Sequence, residues 1–391
     1  MRPEEIELLS ELTIVIPSCE KPENLERAIE YWRDTPVTVH IVDGSKTPWF
    51  PIGKLLDVPT INYHHIPPEN SEGIWGNYCR RMRYGAVLPT TKYSALCADD
   101  DAFTISGLCA ILNAFENDLT VDAMIGRAAV FDRNETLPKW RIAFADLRNS
   151  PDYRSDDVSV RLLNGIRAPF LYYGVVRTDL WRQFVQIVFR YDLSLYSEKL
   201  SVIVDRALCR IQVIERIVWL RQGYVPRTHV PEEFKVEPPS VFKQLLGRQR
   251  FDMRRKMCGQ IIIAIRVSSP HVGKMHARRL ARKLTKPKII ANNRKIMRWK
   301  RRMIRRLINL FAFLPSDFRR KLTKALPWRI SGLLGFYEVN SEILRANTRT
   351  DLDGFIESLK RSGIDFCPAE LEEFEKLLLK PREELRLSAY S

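Results

Sequence analysis

The sequence predicts an α/β protein with a mostly parallel sheet, followed by a basic, mostly helical C-terminal region. Three observations lead there. Through the first 235 residues, short β-branched apolar runs alternate with runs whose apolar residues recur at helical spacing. Polar and acidic residues cluster where the strand-like runs end, the place where open parallel sheets bind ligands. Basic residues gather in one stretch: residues 241–330 hold 27 Lys and Arg against Asp252 and Asp317. That stretch carries +25 and the remainder −9, within a net +16 over 391 residues.

The elements follow in order. Residues 12–17 form a short apolar run bounded by Pro17 and read as a buried parallel strand. Residues 18–32 supply a turn and a helix, with Leu25, Ala28, Ile29 and Trp32 at helical spacing. Residues 37–42 are a second strand, ended by Asp43-Gly44-Ser45, and 61–65 a third that places His64 and His65 on the surface at its end. A helix over 76–88 precedes a strand over 93–97, which runs into Asp99-Asp100-Asp101; a helix over 106–115 and a strand over 123–126 follow. Residues 170–177 read as an aromatic-rich strand, with helices over 178–186 and 198–210 behind it. Pro238 and Pro239 stand where the composition changes, so the reading ends the first domain at 235. It gives 236–330 to a basic segment and 331–391 to short helices that cap the basic ones or form a contact between copies.

Composition narrows the function classes. With 45% hydrophobic, 10% aromatic and 28% charged residues the chain is globular, not disordered or coiled-coil. Seven scattered cysteines without a CxxC pair suggest neither a disulfide framework nor a zinc site, and a reducing compartment is expected. The acidic start MRPEEIELLS is no signal peptide, and no run of about 18 apolar residues occurs, so a cytoplasmic protein is expected.

The Asp triplet carries the most chemistry. Three adjacent carboxylates repel one another unless a cation or hydrogen-bond donors neutralise them, and Mg²⁺ or Mn²⁺ prefers oxygen ligands. From an extended backbone Asp99 and Asp101 point the same way and Asp100 elsewhere, so one carboxylate serves a metal and another a sugar or ribose hydroxyl. A solvated acidic turn or a helix N-cap is the alternative.

The segments LTIVIPSCEKPENLERAI, VTVHIVDGS, GNYCRRMRYGA and YSALCADDDAF resemble, in that order, the nucleotide-sugar-binding half of GT-A fold glycosyltransferases, especially the bacterial family-2-like enzymes of surface polysaccharide synthesis. The resemblance covers residues 12 to about 130 well and 165–235 loosely. It implies a metal-dependent transfer, inverting by analogy, from a nucleotide-sugar, most readily a UDP-sugar, to a glycan or lipid-linked acceptor. Carried onto this chain, Pro17, Ser18 and Glu20 cradle the nucleotide, Asp43 contacts base or ribose, Asn77 and Arg81 approach ribose or diphosphate, Asp99 and Asp100 face the nucleotide-sugar, and Asp99 and Asp101 hold Mn²⁺ or Mg²⁺. The loop after the first strand departs from the family, with Ser-Cys-Glu-Lys where a Thr or Asn and an Arg are usual. The same resemblance makes Glu198 the catalytic base, with Asp205 as the second choice, and His229 a late metal ligand. Glu198 also serves as ordinary first-turn helix chemistry, and a loop histidine as a structural one.

Between Ile296 and Leu314 apolar residues repeat every three or four positions, with Trp299 on the apolar side and Arg301, Arg302, Arg305 and Arg306 on the other faces. That composition suits a helix lying on an anionic membrane surface, which would hold the enzyme at the inner face of the cell membrane. Nucleic-acid binding or a scaffold role through the same segment is the competing class, as is a nucleotidyltransferase that makes a nucleotide-sugar. The latter needs a Gly-rich loop after the first strand, which Ser18-Cys19-Glu20-Lys21 is not.

Overall fold

A computed structural model describes residues 1–49, 58–69, 73–132, 138–143, 150–164, 173–191, 197–223, 248–285 and 351–379. The chain divides into two compact units, one of residues 1–284 with 349–391 and one of residues 285–348. All of the second unit except Thr285 lies outside the described residues, as do His229, Trp299, Arg301, Arg302, Arg305 and Arg306.

The first unit runs α1 (Pro3–Ser10), β1 (Leu12–Ser18), α2 (Pro22–Trp32), β2 (Thr38–Asp43), β3 (Ile61–His65), α3 (Gly73–Gly85), β4 (Tyr93–Leu96), β5 (Ala102–Phe103), α4 (Ile105–Asn117), β6 (Ala123–Asp132), β7 (Lys139–Ala143), α5 (Val158–Asn164), β8 (Val175–Arg177), α6 (Thr178–Val188), α7 (Ser197–Leu208), β9 (Ile211–Gln222), α8 (Arg248–Ser268), α9 (Lys274–Thr285), α10 (Leu352–Arg361) and α11 (Pro368–Leu379). Among the described residues nine strands form one mixed sheet in the order β3-β2-β1-β4-β8-β6-β9-β5, with β7 on β6. Strands β3, β2, β1 and β4 are mutually parallel, and so are β6 and β9. Strand β8 runs antiparallel between the two sets. The apolar run of β1 is explained by cover on both faces, since every residue from Leu12 to Ile16 is buried.

Strand β9 escaped the sequence reading because Glu215 and Arg216 interrupt its apolar pattern. Both are paired, Glu215 with Arg127 and Arg216 with Asp365, which removes the obstacle that composition alone presents. The boundary after 235 also needs correction. Helix α8, although basic, buries Met257, Ile261, Ala264 and Ile265 in the same core as Phe184, Val188, Leu200 and Val204 of α6 and α7. Its Gln260 donates to the carbonyls of Ile187 and Val188, satisfying acceptors that the end of α6 leaves open. A charge count weighs the solvent-facing residues of such a helix and misses the apolar ones.

The last helices seal the sheet near β7. Phe355 stacks on Trp140 with ring centroids 5.8 Å apart, and Phe374 meets Tyr31 at 5.5 Å and Phe131 at 5.3 Å. Ser106 donates its backbone and hydroxyl hydrogens to the two oxygens of Glu370, each at 2.6 Å, and the Trp140 indole donates to Glu375 at 2.9 Å. Burying each aromatic side chain contributes roughly 1.5–3 kcal/mol, enough to fix these short helices in place. No helix among the described residues is long and apolar enough to cross a membrane.

His64 is not a plain surface residue. It lies half-buried beside His40, with His40 Nδ1 and His64 Nε2 3.0 Å apart and the Tyr84 hydroxyl 3.3 Å from His64 Nδ1. Burial lowers the His40 pKa to about 4, with His64 adding to the effect. The unfolded chain therefore binds more protons than the folded one between pH 4 and 6.5. Stability from this site is complete above pH 6.5 and falls as pH drops toward 4. Urea midpoints should decline over that window, and His40→Gln should flatten the decline; an equal decline in the variant would clear His40 as its source.

Candidate functional site

Three parallel strands deliver the site. Ser18, the last residue of β1, pairs with Asp43, the last of β2, and Val15 pairs with Leu96 at the end of β4. The chain then leaves all three strands at one edge. Ser18 donates its hydroxyl hydrogen to Asp99 Oδ2 at 2.8 Å, joining the ends of β1 and the β4 loop. The other Asp99 oxygen accepts from Lys21 Nζ at 2.8 Å and from Asn24 at 3.4 Å. Lys21 also lies 3.7 Å from Asp100 Oδ2. Burial raises the Asp99 pKa, with the positive charge of Lys21 opposing that rise. Burial alone would lower Lys21, but the Asp99 and Asp100 charges outweigh it and hold the ammonium well above its ordinary value.

Asp101 does not share this pocket. Its carboxylate accepts from the Trp219 indole at 3.1 Å and from the Gln222 amide at 2.8 Å, tying the turn to β9. Trp219 in turn stacks on Tyr173, with ring centroids 3.4 Å apart, and Arg221 lies over both rings. Burial pushes the Asp101 carboxyl well up, Asp100 adds to the shift, and the Gln222 bond opposes it. The extended-strand alternation that would align Asp99 with Asp101 fails because β4 ends at Leu96 and Asp99 and Asp100 lie in a turn.

Asp43 is fully buried and saturated. Ser45 donates to it from backbone and side chain at 2.9 and 2.6 Å, and Tyr63 donates its hydroxyl hydrogen at 2.6 Å. As placed, it holds the loop after β2, and its carboxylate has no exposed surface. Glu20 stands in the left-handed region at φ 54, where a non-glycine residue costs roughly 1–2 kcal/mol. It is fixed there because its amide donates to Ser45 Oγ and its carboxylate accepts from the Lys46 amide. Pro17 lies beside these residues in β1.

Arg81, on α3, is only 7% exposed; its guanidinium donates to the Ser18 carbonyl, while its Nε hydrogen has no partner among the described residues. Gly44 permits this approach, since a Cβ there would collide with the guanidinium. Asn77 spends its amide on the chain ahead of α3, accepting from the Glu69 amide and donating to the Glu69 and Gly73 carbonyls. Glu198 falls in the first turn of α7, and its side chain lies outside the described residues. Asp205 has no exposed surface, so as placed it reaches no acceptor.

The structure thus joins Ser18, Asp99 and Asp100 through a hydrogen bond and Lys21, and bonds Asp43, Asp101 and Asn77 to other parts of the chain. Lys21, Asn24, Ser45, Tyr63, Trp219 and Gln222 complete the site. Only Lys21 left a trace in the sequence, as part of the departure in the loop after the first strand.

A divalent cation does not fit the side chains as they stand. Both oxygens of Asp99 and both of Asp101 accept from protein donors, and Lys21 occupies the space between Asp99 and Asp100. Among the described residues no three or more His, Cys, Asp or Glu side chains converge to hold a metal.

No protein-family model matches the chain, and no curated protein does. Among solved structures it is similar to residues 1–349 of S. aureus TarS at 12% identity and TM-score 0.42, covering 90% of this chain and 91% of that one. A longer TarS structure matches at 13% identity and TM-score 0.39, covering 89% of this chain and 55% of that one.

Asp101→Ala should cost about 1–3 kcal/mol in urea unfolding, because it strips the acceptor from the Trp219 indole and the Gln222 amide. Asp101→Asn, which keeps an acceptor oxygen, should cost less. If the alanine variant unfolds like the wild type, water replaces the carboxylate and the tie to β9 is not structural.

Proposed function

We propose that the chain is a glycosyltransferase that moves a sugar from a nucleoside-diphosphate donor to a glycan or lipid-linked glycan in surface polysaccharide synthesis. The supporting observation is the meeting of Ser18, Asp99 and Asp100 with Lys21 and Arg81 at the carboxyl ends of β1 and β4, beside the N-terminus of α2. Carboxylates at such an edge suit sugar and ribose hydroxyls, and cations suit phosphates.

In the transfer, the acceptor hydroxyl oxygen bonds to the anomeric carbon while the bond from that carbon to the diphosphate oxygen breaks. The electron pair leaves with the diphosphate, and the acceptor proton passes to a carboxylate. Glu198 is our choice for that base, supported by its place at the start of α7. Attack from the face opposite the leaving group inverts the anomeric centre.

At a concentration about a hundred times its Kd, one of UDP, GDP, CDP or dTDP should stabilise the protein by about 2.7 kcal/mol, read as a rise in Tm. Glu198→Gln should keep that rise and lower sugar transfer by about 10²- to 10⁴-fold. No shift with any diphosphate would sink the reading, and full activity in the variant would move the base elsewhere.

We also place the reaction at an anionic membrane surface. Helix α9 supports this, with Ala277, Leu280 and Ala281 buried while Lys274, Arg278, Arg279, Arg282 and Lys283 are exposed. Each such cation contributes roughly 1 kcal/mol near an anionic leaflet. Replacing Arg278, Arg279, Arg282 and Lys283 by Glu should release the protein from anionic vesicles that the wild type binds; undiminished sedimentation would dismiss α9 as the contact.

A further inference from the structure

We propose that Lys21 is the built-in cation of this site: its ammonium neutralises Asp99 and Asp100 and receives the diphosphate of the donor, so that nucleotide binds without a divalent ion. This rests on the glycosyltransferase reading and specifies how its donor is held.

The geometry comes first. Lys21 Nζ is 2.8 Å from Asp99 Oδ1 and 3.7 Å from Asp100 Oδ2, so it occupies the position that the carboxylate pair would give a metal. An ammonium has three hydrogens to donate. One makes the short bond to Asp99, and the side chain as a whole remains 49% exposed. Lysine is a compact point charge on a flexible stem, a form suited to phosphate, and the stem lets the head shift toward an incoming anion while Ser18 and Asn24 keep Asp99 bonded.

The surroundings point the same way. Lys21 is also the residue before α2, an eleven-residue helix that starts at this edge of the sheet with Pro22 in its first position and the Asn24 and Leu25 amides bonded to the Lys21 carbonyl. Arg81 adds a second positive charge beneath the same loop, against the Ser18 carbonyl and Gly44, and its buried Nε hydrogen lacks a partner among the described residues. The remaining acids do not cancel these charges for a ligand. Asp43 is enclosed by Ser45 and Tyr63, and Asp101 is bonded to β9 with Arg221 nearby. Asp100 keeps a third of its side chain exposed, and Glu20, exposed beside Lys21, is held by the Lys46 amide.

The role of a metal in leaving-group departure is to stabilise negative charge as it grows on the diphosphate. A held ammonium beside a helix N-terminus does the same work without coordination chemistry. It also competes with a metal, because any divalent ion entering between Asp99 and Asp100 must first displace Lys21.

The test uses the full chain stripped of metal with EDTA. Calorimetric titration with UDP, GDP, CDP and dTDP should find one diphosphate that binds, with affinity changing less than about threefold when Mn²⁺ is restored. Lys21→Ala should weaken metal-free binding by about tenfold or more, equivalent to 1.4 kcal/mol, and Lys21→Arg should stay near wild type. Paramagnetic resonance of Mn²⁺, which needs no nucleotide, should show weak or no binding to the wild type and a new site in Lys21→Ala. Circular dichroism and the behaviour of Lys21→Arg distinguish lost binding from lost fold. Nucleotide binding that requires Mn²⁺ in the wild type, or that survives Lys21→Ala without metal, overturns the assignment and leaves the glycosyltransferase reading standing. Failure of every diphosphate with and without Mn²⁺ overturns that reading, and the role of Lys21 falls with it.

Discussion

The register of β1 against its two parallel neighbours is the constraint on which everything else depends. Because Ser18 lies opposite Asp43 and Val15 opposite Leu96, three separate chain segments leave the sheet at one edge and turn toward the same crevice. A slip of one residue would put Pro17 opposite Asp43 and send the Ser18 hydroxyl to the other face of the sheet, breaking its 2.8 Å bond to Asp99. Burial of Leu12 to Ile16 on both faces holds the strand in this register, so the core sets the geometry of a polar site that it never touches.

That edge gathers four carboxylates, and each is stabilised differently. Asp43 is closed in by hydroxyls and an amide, Asp101 by an indole and an amide from β9, and Asp99 by a hydroxyl, a side-chain amide and an ammonium. A buried acid without donors is expensive, so these bonds are a condition of folding as much as a preparation for chemistry. Asp100 is a third exposed, and Lys21 is set between it and Asp99.

The elements farthest along the chain brace this arrangement from behind. Tyr31 of α2 donates its hydroxyl hydrogen to the Phe103 carbonyl, two residues past Asp101, and its ring meets Phe374 of α11. Glu370 of α11 caps the start of α4, which follows directly on β5. A C-terminal pair of helices therefore holds the far end of the acidic turn through aromatic packing and two short hydrogen bonds. Helix α8 does comparable work for α6 and α7 through Gln260 and its apolar face.

By itself the sequence determined the α/β class, strands over 12–17, 37–42, 61–65 and 93–97, and the position of Ser18, Asp43 and Asp99 where strands end. Those features are local: each strand is a contiguous apolar run, and each polar residue follows one directly. The tertiary structure decided the partners. Lys21 between Asp99 and Asp100, Tyr63 on Asp43 and Trp219 on Asp101 join residues tens to over a hundred positions apart, so no spacing along the chain could announce them. It also decided where the basic and C-terminal helices belong. Composition averages over all faces of a helix, whereas packing depends on the one face that is buried, and in α8, α10 and α11 that face meets the sheet and its helices.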